Sequence, residues 1–273
     1  MQNYDRLYTL DEPVPYKNIK LYPVKVKDHD MFYRCISCLV LEKKSIPDIK
    51  ILKMSYLEYL YHLHIENKEI DYLLLLDYLL KLCMKLDDIM GINYYFDKIT
   101  NKPMFKIGHK VLDESSKTIP DEYGVKLDGE TYNATDFEEI QNVICNQNLV
   151  DRPDETIQKE IRDKMEEGRL MKAKANGNKP ASFEDTILCL VVSTNMSLEQ
   201  VYELPLRKFI KLLQRVDAKL HYQIYMTSAM SGMVTFKDKT VLRHWMSDLE
   251  KENKNDDVLL DFDKISSKIA TKT

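Results

Sequence analysis

Residues 182–236, SFEDTILCLVVSTNMSLEQVYELPLRKFIKLLQRVDAKLHYQIYMTSAMSGMVTF, carry the densest helical signal of the chain and decide its class. Ser182-x-x-Asp185 and Ser197-x-x-Gln200 each place a hydroxyl three residues ahead of a side chain that can reach back, the pattern of a capping box. Pro205 falls where the first turn of a helix tolerates a missing N–H. Beyond it Leu206, Phe209, Ile210, Leu213, Val216, Leu220 and Ile224 recur at steps of three and four, while Arg207, Lys208, Lys211, Arg215 and Lys219 take other faces. The stretch predicts a helix, a shorter helix and a long amphipathic one.

Working outward, Asn176-Gly177-Asn178-Lys179-Pro180 is the strongest breaker, and before it Glu155 to Ala175 is dominated by charges of both signs, a solvated helix or spacer. Towards the N-terminus, Thr135-x-x-Glu138 opens a helix to about Asn146. Ile92 to Phe96, Pro103 to Ile107 and Tyr123 to Tyr132 read as short strands, the last folded into a hairpin at Asp128-Gly129. Asp71 begins the apolar run DYLLLLDYLLKLCMKL, too short to span a bilayer and apolar on most faces, which predicts a central buried helix. Ser55-x-x-Glu58 caps a helix through about Ile65, and Asp28 caps one through Leu41. Tyr4 to Pro23, with three prolines, reads as an extended arm or edge strand. After the opening stretch, Lys239 to Leu249 predicts one more helix containing Trp245.

The expected fold is mainly α with a small antiparallel β insertion, an α+β chain with a helical C-terminal domain. Its predicted divisions are an N-terminal α+β domain over 1–150 with the insertion at about 91–133, a charged helix and linker over 151–180, a helical domain over 181–250 and a polar tail over 251–273.

Composition narrows function. The 273 residues are 44% hydrophobic and 31% charged with only 7 glycines, which favours helix and disfavours Gly-loop nucleotide sites. A net charge of −4 gives no global attraction to nucleic acid or anionic membrane. The N-terminus lacks the basic and apolar regions of a secretion signal, no run approaches 18 apolar residues, and five cysteines at irregular positions suit a reducing compartment; together these predict a cytoplasmic protein that does not enter a membrane.

Candidate chemistry is thin. Cys35-Ile-Ser-Cys38 has redox or half-zinc spacing without a second pair, and reads as core thiols. His62 and His64 are two apart, which cannot make a helical zinc pair. Asp87-Asp88 and Asp256-Asp257 lack a partner base. The sequence therefore predicts no catalytic, cofactor or metal residues and no enzyme. Phe183 to Glu203 has the outline of a DNA-binding helix-turn-helix, yet the would-be recognition helix is short and bears Glu199 and Glu203. Met226, Met230 and Met233 beside small residues form a soft face suited either to core packing or to a partner helix.

Two segments resemble known proteins. SFEDTILCLVVSTNMSLEQVYELPLRKFIKLLQRVD looks like the all-helical tail assembly proteins of tailed bacteriophages, and IKLYPVKVKDHDMFYRCISCLVLEK resembles the start of phage tail and baseplate-associated proteins. The resemblance implies a non-enzymatic, chaperone-like assembly role in the host cytoplasm. Its partner would be a helical tail component such as the tape-measure protein, or a tube or baseplate protein. A permanent place in the virion tail or baseplate is the alternative, and a DNA-binding regulator the second. On this reading Leu206, Phe209, Leu213, Met226, Met230 and Met233 bind the partner, while the N-terminal half sets homo-oligomerisation or docks to a tail component.

Overall fold

The computed structural model describes residues 4–43, 48–66, 70–86, 90–112, 125–152, 181–232 and 244–247, together with Lys164 and Glu167. The architecture is mainly α with two small antiparallel sheets. The chain divides into two compact units, residues 1–153 with Tyr202–Phe209, and residues 154–201 with 210–273.

The first unit opens with helix α1 (Asp5–Leu10) and the ribbon β1 (Val14–Tyr16) and β2 (Ile19–Leu21), paired antiparallel. The expected extended arm thus begins as a helical turn, held by the Tyr8 N–H donating to the Tyr4 carbonyl at 3.0 Å and by Thr9 Oγ1 donating to the Asp5 carbonyl at 2.8 Å. A 3-10 turn at Val26–Asp28 leads into α2 (His29–Cys35) and a second 3-10 turn, Ile36–Leu39. The single helix expected from Asp28 to Leu41 is therefore broken, and Asp28 makes no side-chain cap. Helix α3 (Ile49–Lys53) precedes α4 (Tyr56–Glu66), whose capping box is formed: the Ser55 N–H donates to Glu58, and the Glu58 N–H donates to Ser55 Oγ at 3.2 Å. Asp71 accepts the Leu74 N–H and opens α5 (Tyr72–Met84), which buries Leu76, Leu79 and Leu80 against α2 and α4.

The second sheet runs β3 (Met90–Phe96), β4 (Pro103–Leu112) and β5 (Val125–Tyr132) in that order, all antiparallel. Asp128-Gly129 is not the expected hairpin turn; it lies inside β5 opposite Gly108. Close backbone approach explains the pair, since a Cβ on Gly108 would stand 1.7 Å from the Asp128 carbonyl oxygen and one on Gly129 would stand 1.9 Å from that of Ile107. The glycines permit a tight crossing instead of supplying a turn. Tyr94, Phe105 and Tyr132 are register partners across the three strands, with Phe105 and Tyr132 stacked at 5.1 Å. Helix α6 (Ala134–Gln147) backs this ladder through Phe137, edge-on to Phe105 at 6.1 Å.

The cap of α6 is Asn133 with Asp136, not Thr135 with Glu138. Asp136 also accepts Tyr16 Oη at 2.8 Å and Lys17 Nζ at 2.7 Å, so the β1–β2 turn is clamped to the sheet-to-helix joint. Burial pushes the Asp136 carboxyl up, but Lys17, the Asn133 N–H and Tyr16 outweigh it and hold the group below the ordinary carboxylate range. Cys35, Cys38, Cys83 and Cys145 are buried in this unit as free thiols, burial raising Cys145 to about 11. Cys35 and Cys38 sit at the junction of α2 with a 3-10 turn, where they pack rather than present a reactive pair.

In the second unit, α7 (Phe183–Thr194) carries the expected Ser182/Asp185 box, and Asn195 ends it in the left-handed region at φ 58°. Helix α8 (Leu198–Tyr202) carries the Ser197/Gln200 box, with bonds of 2.8 and 3.2 Å. Helix α9 spans Leu206–Met230, with its residues to Phe209 in the first unit and those from Ile210 in the second. The helix expected over Lys239–Leu249 is instead a turn at its described residues, closed by the Ser247 N–H donating to the His244 carbonyl at 2.9 Å. The charged segment Glu155–Ala175 (apart from Lys164 and Glu167), the breaker Asn176–Pro180, Asp87-Asp88, Asp256-Asp257 and the tail lie outside the described residues.

Candidate partner-binding surface

The start of α9 belongs to the first unit. The Val26 N–H donates to the Leu204 carbonyl at 2.9 Å and the Leu206 N–H to the Val24 carbonyl at 2.8 Å, bracketing a bridge between Lys25 and Pro205. Lys25 and Lys27 both bind Glu203, Lys27 at 2.7 Å, and these two ammonium groups lower its carboxyl to about 2. Lys208 pairs with Asp11 at 2.7 Å, and Arg207 donates to the Asn146 carbonyl at 2.7 Å while lying over the Tyr8 ring. Between these polar ties Leu206 and Phe209 are 0% and 1% exposed. Two of the six residues expected to bind a partner are thus core of the first unit.

From Ile210 the helix is otherwise disposed. At 3.6 residues per turn, Leu213, Leu220 and Ile224 fall within roughly 40° of one another, with Val216 beside them. Leu213 and Val216 are half-buried, whereas Leu220 is 50% exposed and Ile224 61%. On the far side of the helix Arg215 donates to the carbonyls of Trp245 and Ser247 at 2.8 and 2.7 Å, and Tyr222 meets the His244 ring edge-on at 5.0 Å. The turn at His244–Ser247 therefore lies on one face, and Leu220 and Ile224 are exposed on the opposite one. Met226 is half-buried and Met230 is 79% exposed, about a quarter turn round from the stripe, while Met233 lies outside the described residues.

The structure keeps Leu213 near the open stripe and adds Leu220 and Ile224, which the sequence marked as periodic but not as surface. Nothing local distinguishes them from Leu206 and Phe209; the difference is tertiary. Helix α7 of the same unit also exposes Leu188 and Val192, one turn apart.

Groups with other chemistry are tied up locally. His62 meets Glu66 at 3.2 Å, and His64 meets Asp71 at 2.9 Å. Among the described residues no three His, Cys, Asp or Glu side chains are placed to hold a metal ion, and no helix is long and apolar enough to cross a membrane. In the helix-turn-helix outline the second helix, α8, has five residues, and Glu203 beyond it is ion-paired.

The fold is thus that of a mainly helical chain, and α9, the longest helix among the described residues, exposes Leu220 and Ile224 on one apolar face. Residues 172–250, less than a third of the chain, match the family model described as the YomV second domain, a phage-associated domain family. The match spans α7, α8 and α9 and so contains the whole open stripe. No curated protein and no solved structure matches the chain.

Proposed function

We propose that the protein is a non-enzymatic phage assembly protein, and that α9 binds a helical tail component such as a tape-measure protein in the host cytoplasm. The observation that carries this reading is the stripe of Leu213, Val216, Leu220 and Ile224, of which Leu220 and Ile224 are exposed on the side of α9 away from the His244–Ser247 turn. Apolar positions at three- and four-residue spacing are what an amphipathic client helix engages, and the exposed Met230, a quarter turn round from the stripe, can adapt to varied shapes. The phage-associated match over the same residues supports the setting.

The test is co-expression with candidate tail proteins and recovery of a complex. Met230→Glu and Ile224→Glu, both at exposed positions, are expected to leave the helical circular dichroism unchanged and to weaken association at least 30-fold, the scale of an interface hot spot. Folded variants that bind every tail protein as the wild type does would remove α9 from the mechanism. Thermal stabilisation by a metal or nucleotide in place of a protein partner would point to an enzyme instead. Mass spectrometry of purified particles then separates an assembly factor from a permanent tail or baseplate component.

A further inference from the structure

The three-stranded sheet has two edges, β3 and β5, and they are differently defended. Asp128 and Glu130 place charges along β5. The seven residues of β3, Met-Gly-Ile-Asn-Tyr-Tyr-Phe, contain neither a charge nor a proline. Edges without such devices are those that pair with another chain.

The hairpin joining β3 to β4 fixes which backbone groups are available. Its turn is closed by the Asn101 N–H donating to the Asp97 carbonyl at 2.8 Å and the Asp97 N–H donating to the Lys102 carbonyl at 3.0 Å, with Asn101 in the left-handed region at φ 48°. Bonded and non-bonded pairs alternate along an antiparallel ladder. Gly91, Asn93 and Tyr95 therefore exchange bonds with β4, and the N–H and C=O groups of Ile92, Tyr94 and Phe96 point away from it. Pro103, which has no N–H, stands opposite Phe96 at a non-bonded pair, as this parity requires. Among the described residues no backbone group bonds to the outer side of Ile92, Tyr94 or Phe96.

We propose that β3 pairs antiparallel with β3 of a second copy of this chain, about a two-fold axis through Asn93. The register that overlaps the whole strand puts Asn93 on that axis and sets Ile92 opposite Tyr94 of the second copy. Both residues present outward groups, so the two symmetric pairs exchange four backbone bonds. A second copy fits because it brings the same uncharged strand, and no like charges meet anywhere along the pairing. Asn93 is exposed, and its amide carries both donor and acceptor, so the two axial side chains complement each other. The dimer makes the two three-stranded sheets one sheet of six strands.

The experiment is a mass determination by sedimentation on the full chain, with charge exchange at the axis. The wild type is expected at twice 32.2 kDa. Asn93→Lys and Asn93→Glu, each folded by circular dichroism, are expected as monomers, and an equimolar mixture of the two is expected to regain the dimer mass. A wild type that stays monomeric at its highest soluble concentration overturns the proposal. So does a dimer that persists in both variants, or one that mixing fails to restore. A dimer lost instead in Ile224→Glu would place the contact on α9 and also overturn it. Amide exchange needs no variant: protection of the Ile92 and Tyr94 N–H groups should rise with protein concentration, and protection independent of concentration counts against the pairing.

Discussion

Phe209→Ala tests whether the start of α9 is core or surface. The side chain is 1% exposed and lies beside Leu206, between the Lys25–Pro205 bridge and the Arg207 contacts with Asn146 and Tyr8. Truncating a buried phenylalanine removes its transfer free energy and leaves a cavity, a combined cost of about 3–5 kcal/mol. The first unit holds roughly 160 residues, a size at which each kcal/mol moves the melting temperature by about 2–4 °C. The expected loss is thus roughly 6–20 °C. Ile224→Ala, on the same helix but 61% exposed, should change stability by about 0.5 kcal/mol or less. Urea titration followed by circular dichroism reads both, with the slope checked for a common unfolding reaction. A cost below about 1 kcal/mol for Phe209→Ala, or an equal cost at Ile224, would refute the division of this helix into a buried start and an open continuation.

Other outcomes follow from named contacts. Gly108→Ala should abolish the β4–β5 crossing and soluble expression, since the added carbon meets backbone at 1.7 Å; Gly232→Ala, with nothing within 4 Å but φ at +70°, should cost only about 1 kcal/mol. Asp136→Asn removes a buried carboxylate held by Lys17 and Tyr16 and should cost about 1–3 kcal/mol at neutral pH. Because the folded Asp136 titrates below the unfolded value of about 3.9, its contribution is present above that pH and is lost as pH falls through the folded value. The wild type should therefore lose its advantage over Asp136→Asn in acid, as paired melts across that range would show. An aromatic disulfide reagent should titrate Cys189 alone in the native protein and all five thiols in denaturant; fast reaction of a second thiol would contradict the buried placement of the other four.

Features set by short-range chemistry were readable in the chain. Ser55/Glu58, Ser182/Asp185 and Ser197/Gln200 each close a bond pattern three residues long, and all three form. Where two local patterns compete the choice is tertiary. Thr135/Glu138 and Asn133/Asp136 both satisfy the capping rule, and the second prevails because Asp136 is also claimed by Tyr16 and Lys17 from far earlier in the chain. Asp128-Gly129 carries the local signature of a turn, yet its glycine answers a close approach to β4 that only the paired strands reveal. The same limit applies to the candidate surface. Leu206, Phe209, Leu220 and Ile224 share one periodicity, and only the docking of residues 202–209 on the first unit separates buried from open.

That docking has a consequence for the order of events during synthesis. The first unit is not contiguous in the chain: its main body ends at Pro153, and the segment that supplies Leu206 and Phe209 emerges 56 residues later, counting from 153 to 209. At translation rates of about 5–20 residues per second, the nascent domain waits roughly 3–11 s for its last two core side chains. During that interval the apolar surface they will cover faces the solvent and whatever binds nascent chains. The fold is completed by residues the ribosome delivers late, so a chain that stops short of Tyr202 should be prone to aggregation even though most of the unit's sequence is present.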